Sequence, residues 1–586
     1  MRKLLVVLVV CGACNGGGDE SIDASGGETA APDGAIALDA AAAPDAAAPD
    51  ATAPDAAAPD ATAPVGPDGA VGSAPEVLAT SPAAAASDVA PGTTIRARFS
   101  ASMEPGSIDA ASFVVQHDGA AVRGTLAYDV PTRTATFTPS AHLSLSGAYT
   151  ATLTTDVHTV DGAPLATPHT WSFTIHDGAW SVDVEPSPSP PEDQIMPVVA
   201  LDDLGRATAA WYQWNTHAAD SMARIFATRG DDLGWGAEEH IDTPTGFGAL
   251  DPALAVDASG ECTVVWSQPT TSSASMVFAN RGSSSWSGAV AVDADPTRHV
   301  RTPTVASSGP DDAVAIWVSF VHGTDVHEVR ASHRTSAGWG PAFTLGDDHN
   351  GVTQYPVPRI AADGHGHYLA AYTLAENDNP TVWARYFDGS TWGPAVRLGD
   401  DRGDEPRVVM DASGNGMVAW LSDGIPDPTP YVATFSPHDG FGAATQLDAT
   451  YSYELALAMA PTGEAVLVYV HGSPSREVMA RAYRPGQGWQ SAEVLFAQAE
   501  PGIITVDAAI DGAGRAVAVW VSDDHIYAAR RVGTWSSPTL LQHEPAWIAY
   551  GARVATNAAG EAVVVWAQSP GPDDLATGSV RAATFR

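Results

Sequence analysis

The sequence predicts an all-β chain: an Ig-like β-sandwich, then an eight-bladed β-propeller closed by its own N-terminal strand, behind an unstructured leader. Three observations predict it. First, one short sentence recurs eight times between residue 196 and the C-terminus: an apolar run, a turn of the form Asp-x-x-Gly, and a Val/Ala-rich run ending on Trp or Tyr. Second, the closing aromatics Trp211, Trp266, Trp317, Tyr372, Trp420, Tyr469, Trp520 and Trp566 fall 46 to 55 residues apart. A strand-rich repeat of that length is the signature of propeller blades. Third, the eighth copy stops after its third strand at Arg586, and the missing fourth appears upstream as Ala179 to Val184.

Each repeat builds four strands. The first is a short apolar run such as Leu254 to Val256, and the second ends on the aromatic, as in Thr263 to Trp266. The Gly supplies the positive φ that the intervening turn needs, and the Asp side chain caps the backbone two residues on. A third strand follows, for example SMVFANR. Then comes an aromatic element (Trp235, Trp286, Trp339, Trp392, Phe441, Trp489, Trp535) with a fourth strand behind it. Four antiparallel strands make one blade. Pairing of Ala179–Val184 with the last repeat would remove the open sheet edges that invite aggregation. Asp202, Asp257, Asp363, Asp411 and Asp511 are read as turn caps, because Ser308, Ala460 and Asn557 replace them in the other copies. One Asp per turn is too few for a calcium loop.

The net charge is −41, and Lys3 is the only lysine. An acidic surface without basic clusters argues against nucleic acid as a partner. The three cysteines, Cys11, Cys14 and Cys262, cannot form a disulfide framework. Cys262 reads as a small buried apolar residue.

The N-terminus carries Arg2 and Lys3, then an apolar stretch from Leu4 to Val10 that is too short to span a bilayer. Its end, Cys11-Gly12-Ala13-Cys14, resembles the lipobox of bacterial lipoprotein signals, with Cys11 where Leu is usual. The resemblance implies a signal peptide over 1–13, lipidation of Cys14, and a cell-envelope location, at the outer membrane or cell surface of a Gram-negative bacterium. Residues 14–74 repeat Ala, Pro and Asp. They have too little apolar bulk to offset chain entropy and read as a disordered, extended stalk.

Residues 75–176 alternate as a β-sandwich does. Ser81, Pro82, Phe99, Ser100, Met103, Pro105 and Ser107, then Phe137, Pro139, Leu143 and Tyr149, then WSFTI at Trp171 to Ile175, are similar to the SbsA-type bacterial Ig-like family. The resemblance implies a spacer or adhesion element and not a catalyst. Phe99, Phe137, Tyr149, Trp171 and Phe173 read as its core. The propeller is assigned to 177–586.

The chemistry is less legible. His365 and His367 lack a third metal ligand nearby. Asp347-Asp348-His349-Asn350 and Asp400-Asp401-Arg402-Gly403-Asp404 lack the spacing of an EF-hand loop. Pro358-Arg359-Ile360-Ala361 resembles the Arg-Ile-Pro element of sialidases without its last Pro, and the Asp-boxes of that family are absent. No Gly-x-Ser-x-Gly, His-Glu-x-x-His or P-loop occurs. Neither a metal nor a cofactor is expected. The loops opposite the Asp-x-x-Gly turns vary from copy to copy, and variable loops on a regular scaffold are where binding resides. The binding residues expected there are Trp214, His217, Arg298, His299, Arg301, Tyr355, Tyr451, Tyr453, Trp547 and Tyr550. Aromatics with a few Arg suit stacking on sugars or gripping a peptide. The expected function is binding or adhesion, to glycan or protein, by a monomer held to the membrane through its lipid. The alternatives are a polysaccharide-acting hydrolase or lyase with its site at the channel mouth, and a structural envelope component.

Overall fold

The structure, a computed structural model, describes residues 74–586 apart from 187–192, 215–221, 233, 244–246, 272–273, 294, 296, 322–325, 349–356, 377–378, 400–401, 423–427, 473–475, 499–501, 545–546 and 571–577. Cys14 and the stalk lie outside the described residues. The described chain is all-β, apart from a single 3-10 turn at Pro105–Ser107. No helix in it is long and apolar enough to cross a membrane. Residues 71–586 form one compact unit.

The first module is a two-sheet sandwich. One sheet runs Val77–Ser81, Ile95–Phe99, Thr134–Pro139, Gly124–Asp129; the other runs Ala86–Val89, His169–Ile175, Ala148–Leu153, Phe113–His117, Ala120–Ala121. Alternation along the strands turns Phe99, Phe137, Tyr149, Trp171 and Phe173 inward, and all are buried. Rings in mutual contact, such as Phe113 and Trp171 at 6.0 Å, add to the area they remove from water.

Eight antiparallel sheets follow. Their first strands are Asp193–Leu201, Leu250–Val256, Arg298–Gly309, Arg359–Ala362, Gly403–Met410, Ser452–Met459, Ile503–Ile510 and Ile548–Thr556. In each, first strand pairs with second and second with third. In the first seven a short outer strand pairs back on the third. The second strands are apolar on both faces because neighbouring sheets cover both. The eight repeat aromatics are therefore essentially fully buried. Several of their polar atoms find local partners: the indoles of Trp211, Trp266 and Trp566 donate to Gln213, Gln268 and Gln568 two residues on, and the Tyr469 hydroxyl donates to Asp448. Burial also pushes the Cys262 thiol up to about 12, which keeps it an inert core group.

The Asp of each turn does what its spacing predicts. Asp257 accepts the N–H groups of Ser259 and Glu261 at 2.8 and 3.0 Å, and Asp411 those of Ser413 and Asn415 at 2.8 and 2.9 Å. Asn557 takes over the role in the eighth copy. Gly260 and Gly414 close these turns at φ 80° and 82°.

The two ends of the array meet. Ala179 and Arg586 exchange backbone hydrogen bonds at 2.7 and 3.2 Å, and Val184 and Ala582 do so at 2.9 Å. Leu201, Ala207, Ala209 and Trp211 of the first sheet share a core cluster with Val563, Val565, Val580 and Ala582 of the eighth.

The Ig-like module sits on the Asp-x-x-Gly turns of the first, seventh and eighth sheets. The backbone N–H of His142 donates to the Asp203 carbonyl at 2.6 Å, that of Leu145 to the Ala559 carbonyl at 2.9 Å, and Arg515 donates to the Leu145 carbonyl at 3.2 Å. His142 also pairs with the buried Glu561 at 3.0 Å. Burial works against charge on His142, but the bond to Glu561 and its charge outweigh burial, so the imidazole is raised. Burial likewise opposes charge on Glu561, and His142 and Asn557 overcome it and hold the carboxyl low. His142, Glu561 and Asp232 are close enough to share an ion. His142 already pairs with Glu561, and Asp232 pairs with Arg586.

Two outcomes are expected. A chain starting at Asp177 should melt higher than one starting at Pro186, which loses the strand on Ser579–Phe585 and exposes an edge prone to aggregation; equal melting temperatures would refute the pairing. The contribution of the interdomain pair should also depend on pH. A raised His142 contributes fully below its ordinary value of about 6.5 and fades as pH rises through the raised one; a lowered Glu561 contributes fully above about 4.3 and fades as pH falls through the lowered one. Melting curves of the full chain should show a contribution that peaks between these limits and is absent in His142→Gln.

Candidate functional site

The inner strands share a defect that the repeat hides. Seven of the eight shift register near their start, where two residues face one on the second strand. Such a bulge re-aims side chains and tightens the local twist. Its first residue stands at positive φ in five copies: Met196 (50°), Asp251 (55°), Thr302 (46°), Glu405 (51°) and Gly551 (67°). For a non-glycine residue this costs on the order of 1–3 kcal/mol, and such strain clusters at functional sites. In sheets one, two, three and five the next residue is proline: Pro197, Pro252, Pro303 and Pro406. A bulge tolerates it because no ladder hydrogen bond is needed there. In sheets one, two, three, five and eight the repeat aromatic lies opposite the bulge.

Beyond the bulge, one register position recurs in all eight sheets: the residue paired with the one before the repeat aromatic. It is Val198, Ala253, Thr304, Arg359, Arg407, Ala456, Asp507 and Arg553. Four of the eight are charged, and they act on one another across the array. Burial pushes the Arg359 guanidinium down to about 9, and the positive charges of Arg407 in the fifth sheet and Arg553 in the eighth push the same way. Glu454, in the bulge of the sixth sheet, is pushed up to about 7 by burial and by Glu405, against the pull of Arg407 and Arg553. Asp507 is raised by burial, although Arg553 and the Val554 N–H, at 3.0 Å, oppose this. These couplings link side chains on the first strands of sheets four, five, six, seven and eight. Arg359, Arg407, Glu454 and Asp507 keep partial solvent access and Arg553 is exposed.

The expected binding residues divide. Arg301, Tyr453 and Tyr550 lie at bulges, beside or within this cluster. Tyr453 precedes Glu454, stands 6.1 Å from the Tyr451 ring, and carries the Arg476 guanidinium at 5.0 Å. Arg298 is held by Asp295 and Glu328 at 3.1 and 3.0 Å, and His299 stacks on Phe320 at 5.1 Å. Trp214 packs against its own and the second sheet's core, and Trp547 is bonded within its own connection to Gln542 and Glu544. His217 and Tyr355 lie outside the described residues. One correction concerns placement. Trp214, Arg298, His299, Arg301, Tyr453 and Tyr550 are strand residues, not loop residues, because the strands run on through the bulges to the edge of the sheet.

The histidine pair is explained by its turn: His367 bonds the Asp363 carboxylate at 2.6 Å and His365 its carbonyl at 3.1 Å. The coupled residues Arg407, Glu454, Asp507 and Arg553 were missed by sequence reasoning. A signal was available. In five copies a proline stands five residues before the turn position: Pro197, Pro252, Pro303, Pro358 and Pro406. In sheets one, two, three and five it stands in the bulge, and in all five it immediately precedes the recurring register position.

Residues 71–175 match the family profile described as a bacterial Ig-like domain, which supports that assignment for the first module. Among curated proteins none matches this chain. Similar solved structures include a protein of unknown function from Dyadobacter fermentans (11% identity, covering 70% of this chain and 99% of that one, TM-score 0.36). They also include the NanB sialidase of Streptococcus pneumoniae (10% identity, 81% and 85%, TM-score 0.31). A third is the Aleuria aurantia lectin in complex with α-methyl-L-fucoside (13% identity, 48% and 94%, TM-score 0.29). At these scores the likenesses bear on neither ligand nor activity.

The coupling is testable by carboxyl-resolved NMR. Arg553→Gln should move the Glu454 titration upward from about 7, because a stabilising charge is lost. Glu405→Gln should move it downward. No movement in either variant would mean that the side chains do not share a centre.

Proposed function

We propose that residues 177–586 form a closed eight-bladed propeller whose loop face, opposite the Asp-x-x-Gly turns, binds glycan or protein at the mouth of the central channel. The observation that carries this reading is the division of the two faces. The turn face holds capped, repetitive turns, and three of its sheets seat the Ig-like module. The bulges, the strained backbone and the converging charges all lie in the other half of the inner strands. The pairings of Ala179–Val184 with the last strand, and of the first core with the eighth, support closure of the ring. The same reading takes the protein as a surface lipoprotein, anchored through Cys14 and lifted from the membrane by its stalk, with the Ig-like module as spacer.

A second reading has its own support. Glu454 at about 7 and the raised Asp507 beside arginines are carboxylates tuned as acid and base catalysts are. That pattern suits a polysaccharide hydrolase or lyase.

Glycan arrays and pull-down with the full chain separate these readings. Binding should fall on truncating Tyr453 or Tyr550, by about 2 kcal/mol or more for a true anchor. Asp411→Ala should leave binding unchanged and cost stability only, on the order of 1–3 kcal/mol. Loss of binding in Asp411→Ala at unchanged stability would assign the ligand to the wrong face. Release of reducing or unsaturated sugar ends that stops in Glu454→Gln would favour the enzyme. Mass spectrometry of the mature N-terminus checks Cys14.

A further inference from the structure

The three arginines of the channel register carry an inference that rests on the loop-face binding reading and narrows it. Arg359, Arg407 and Arg553 occupy the same position in three sheets. In each the guanidinium folds back on the backbone just before it: Arg359 Nη1 donates to the Pro358 carbonyl at 2.9 Å, Arg553 Nη1 to the Ala552 carbonyl at 2.9 Å, and Arg407 Nη1 to the Glu405 and Pro406 carbonyls at 3.1 and 3.3 Å. One nitrogen is thus anchored in each, and in Arg359 and Arg553 the rest of the planar donor fork is left for a ligand.

Glu405, Glu454 and Asp507 lie among them and offset part of their charge, but burial raises Glu454 and Asp507 and so weakens that offset. Arg407 has Glu405 at 3.6 Å. Among the described residues, no ion pair is formed by Arg359 or Arg553. The Asp507 carboxylate is engaged by the Val554 N–H. Like charges brought together in a half-buried channel destabilise the fold unless something uses them. The rest of the molecule makes the feature stand out, since a chain of net charge −41 has only 28 basic side chains. Their convergence from three sheets is not the outcome of a generally basic surface.

We propose that Arg359, Arg407 and Arg553 form an anion site at the channel mouth, and that the ligand is a polymer bearing carboxylate or sulfate groups, one of which enters the channel. A bidentate guanidinium fork fits both oxyanions. Two things separate the site from general polyanion binding. The protein's own charge repels polyanions in bulk, and the fork geometry does not survive exchange of Arg for Lys.

The test measures binding of the full chain to polygalacturonate, dextran sulfate and uncharged dextran. The comparison is with Arg359→Gln, Arg553→Gln, Arg359→Lys and, as a control on the turn face, Arg484→Gln. At least one charged polymer should bind and dextran should not. Preference between the two identifies the group as carboxylate or sulfate. Each Gln variant should lose roughly tenfold or more in affinity, Arg359→Lys should lose part of it, and Arg484→Gln should match the native chain. Melting temperatures confirm that the variants fold; if a Gln variant does not, the Lys variant decides. Equal binding of dextran and the charged polymers, or affinity unchanged in the arginine variants, overturns the anion site and leaves loop-face binding intact. Failure of all three polymers to bind overturns the anion site, and a glycan array that is also blank overturns the glycan reading with it.

Discussion

Packing between neighbouring sheets is the constraint on which everything else rests. No sheet here could stand alone, because its second strand is apolar on both faces and needs a neighbour on each side. This is why Val264, Trp266, Val314, Ile316, Trp520 and Val564 are all excluded from water. Burying side chains of this size stabilises by about 1.5–3 kcal/mol each, and the gain exists only while the sheets remain stacked. The first and eighth sheets obey the same rule through the cluster that joins Leu201 and Trp211 to Val563 and Val580. Short capped turns then suffice to hold the strands, and the Asp-x-x-Gly turns can be nearly identical from copy to copy.

The same stacking dictates where chemistry can appear. Side chains on the second and third strands are committed to the core or to the outer surface. On the first strands a bulge breaks the alternation in seven of the eight sheets and lets side chains escape the packing between sheets. Positive φ at Met196, Asp251, Thr302 and Glu405 is the local cost of that escape. Deep inter-sheet packing on either side holds it in place. Arg359, Arg407 and Arg553 share one register position, each paired with the residue before its repeat aromatic. The Ig-like module uses the opposite ends of the strands, where Glu561 and the Asp203 and Ala559 carbonyls are fixed by the turns they belong to.

Much of the fold was legible in the sequence, for a physical reason. A repeat states its strand pattern eight times, so the position of a turn Asp or a buried aromatic is confirmed by its copies. Trp211 to Trp566 are buried as their period implies, and Asp257 and Asp411 cap the turns their spacing marks. The centre was less legible. Arg359 and Arg553 belong to different repeats, and nothing local ties them; their proximity exists only once the intervening sheets are stacked. Arg298 and His299 looked like free loop residues because the sequence does not reveal that Glu328 and Phe320, on the third and second strands of the same sheet, engage them. The prolines ahead of five of the turns were visible, but a proline ordinarily argues for a strand end, and in sheets one, two, three and five it marks a bend inside a strand.

The bulge is held by backbone geometry and by the neighbouring sheets, not by the residue that occupies it. Its occupants prove this: Met196, Asp251, Thr302, Glu405 and Gly551 share a conformation and no chemistry. The centre of the molecule therefore behaves like a set of sockets, whose shape is inherited from the scaffold and whose contents are exchangeable one at a time. A lineage carrying this array can change what it recognises through single substitutions that leave the folding problem already solved.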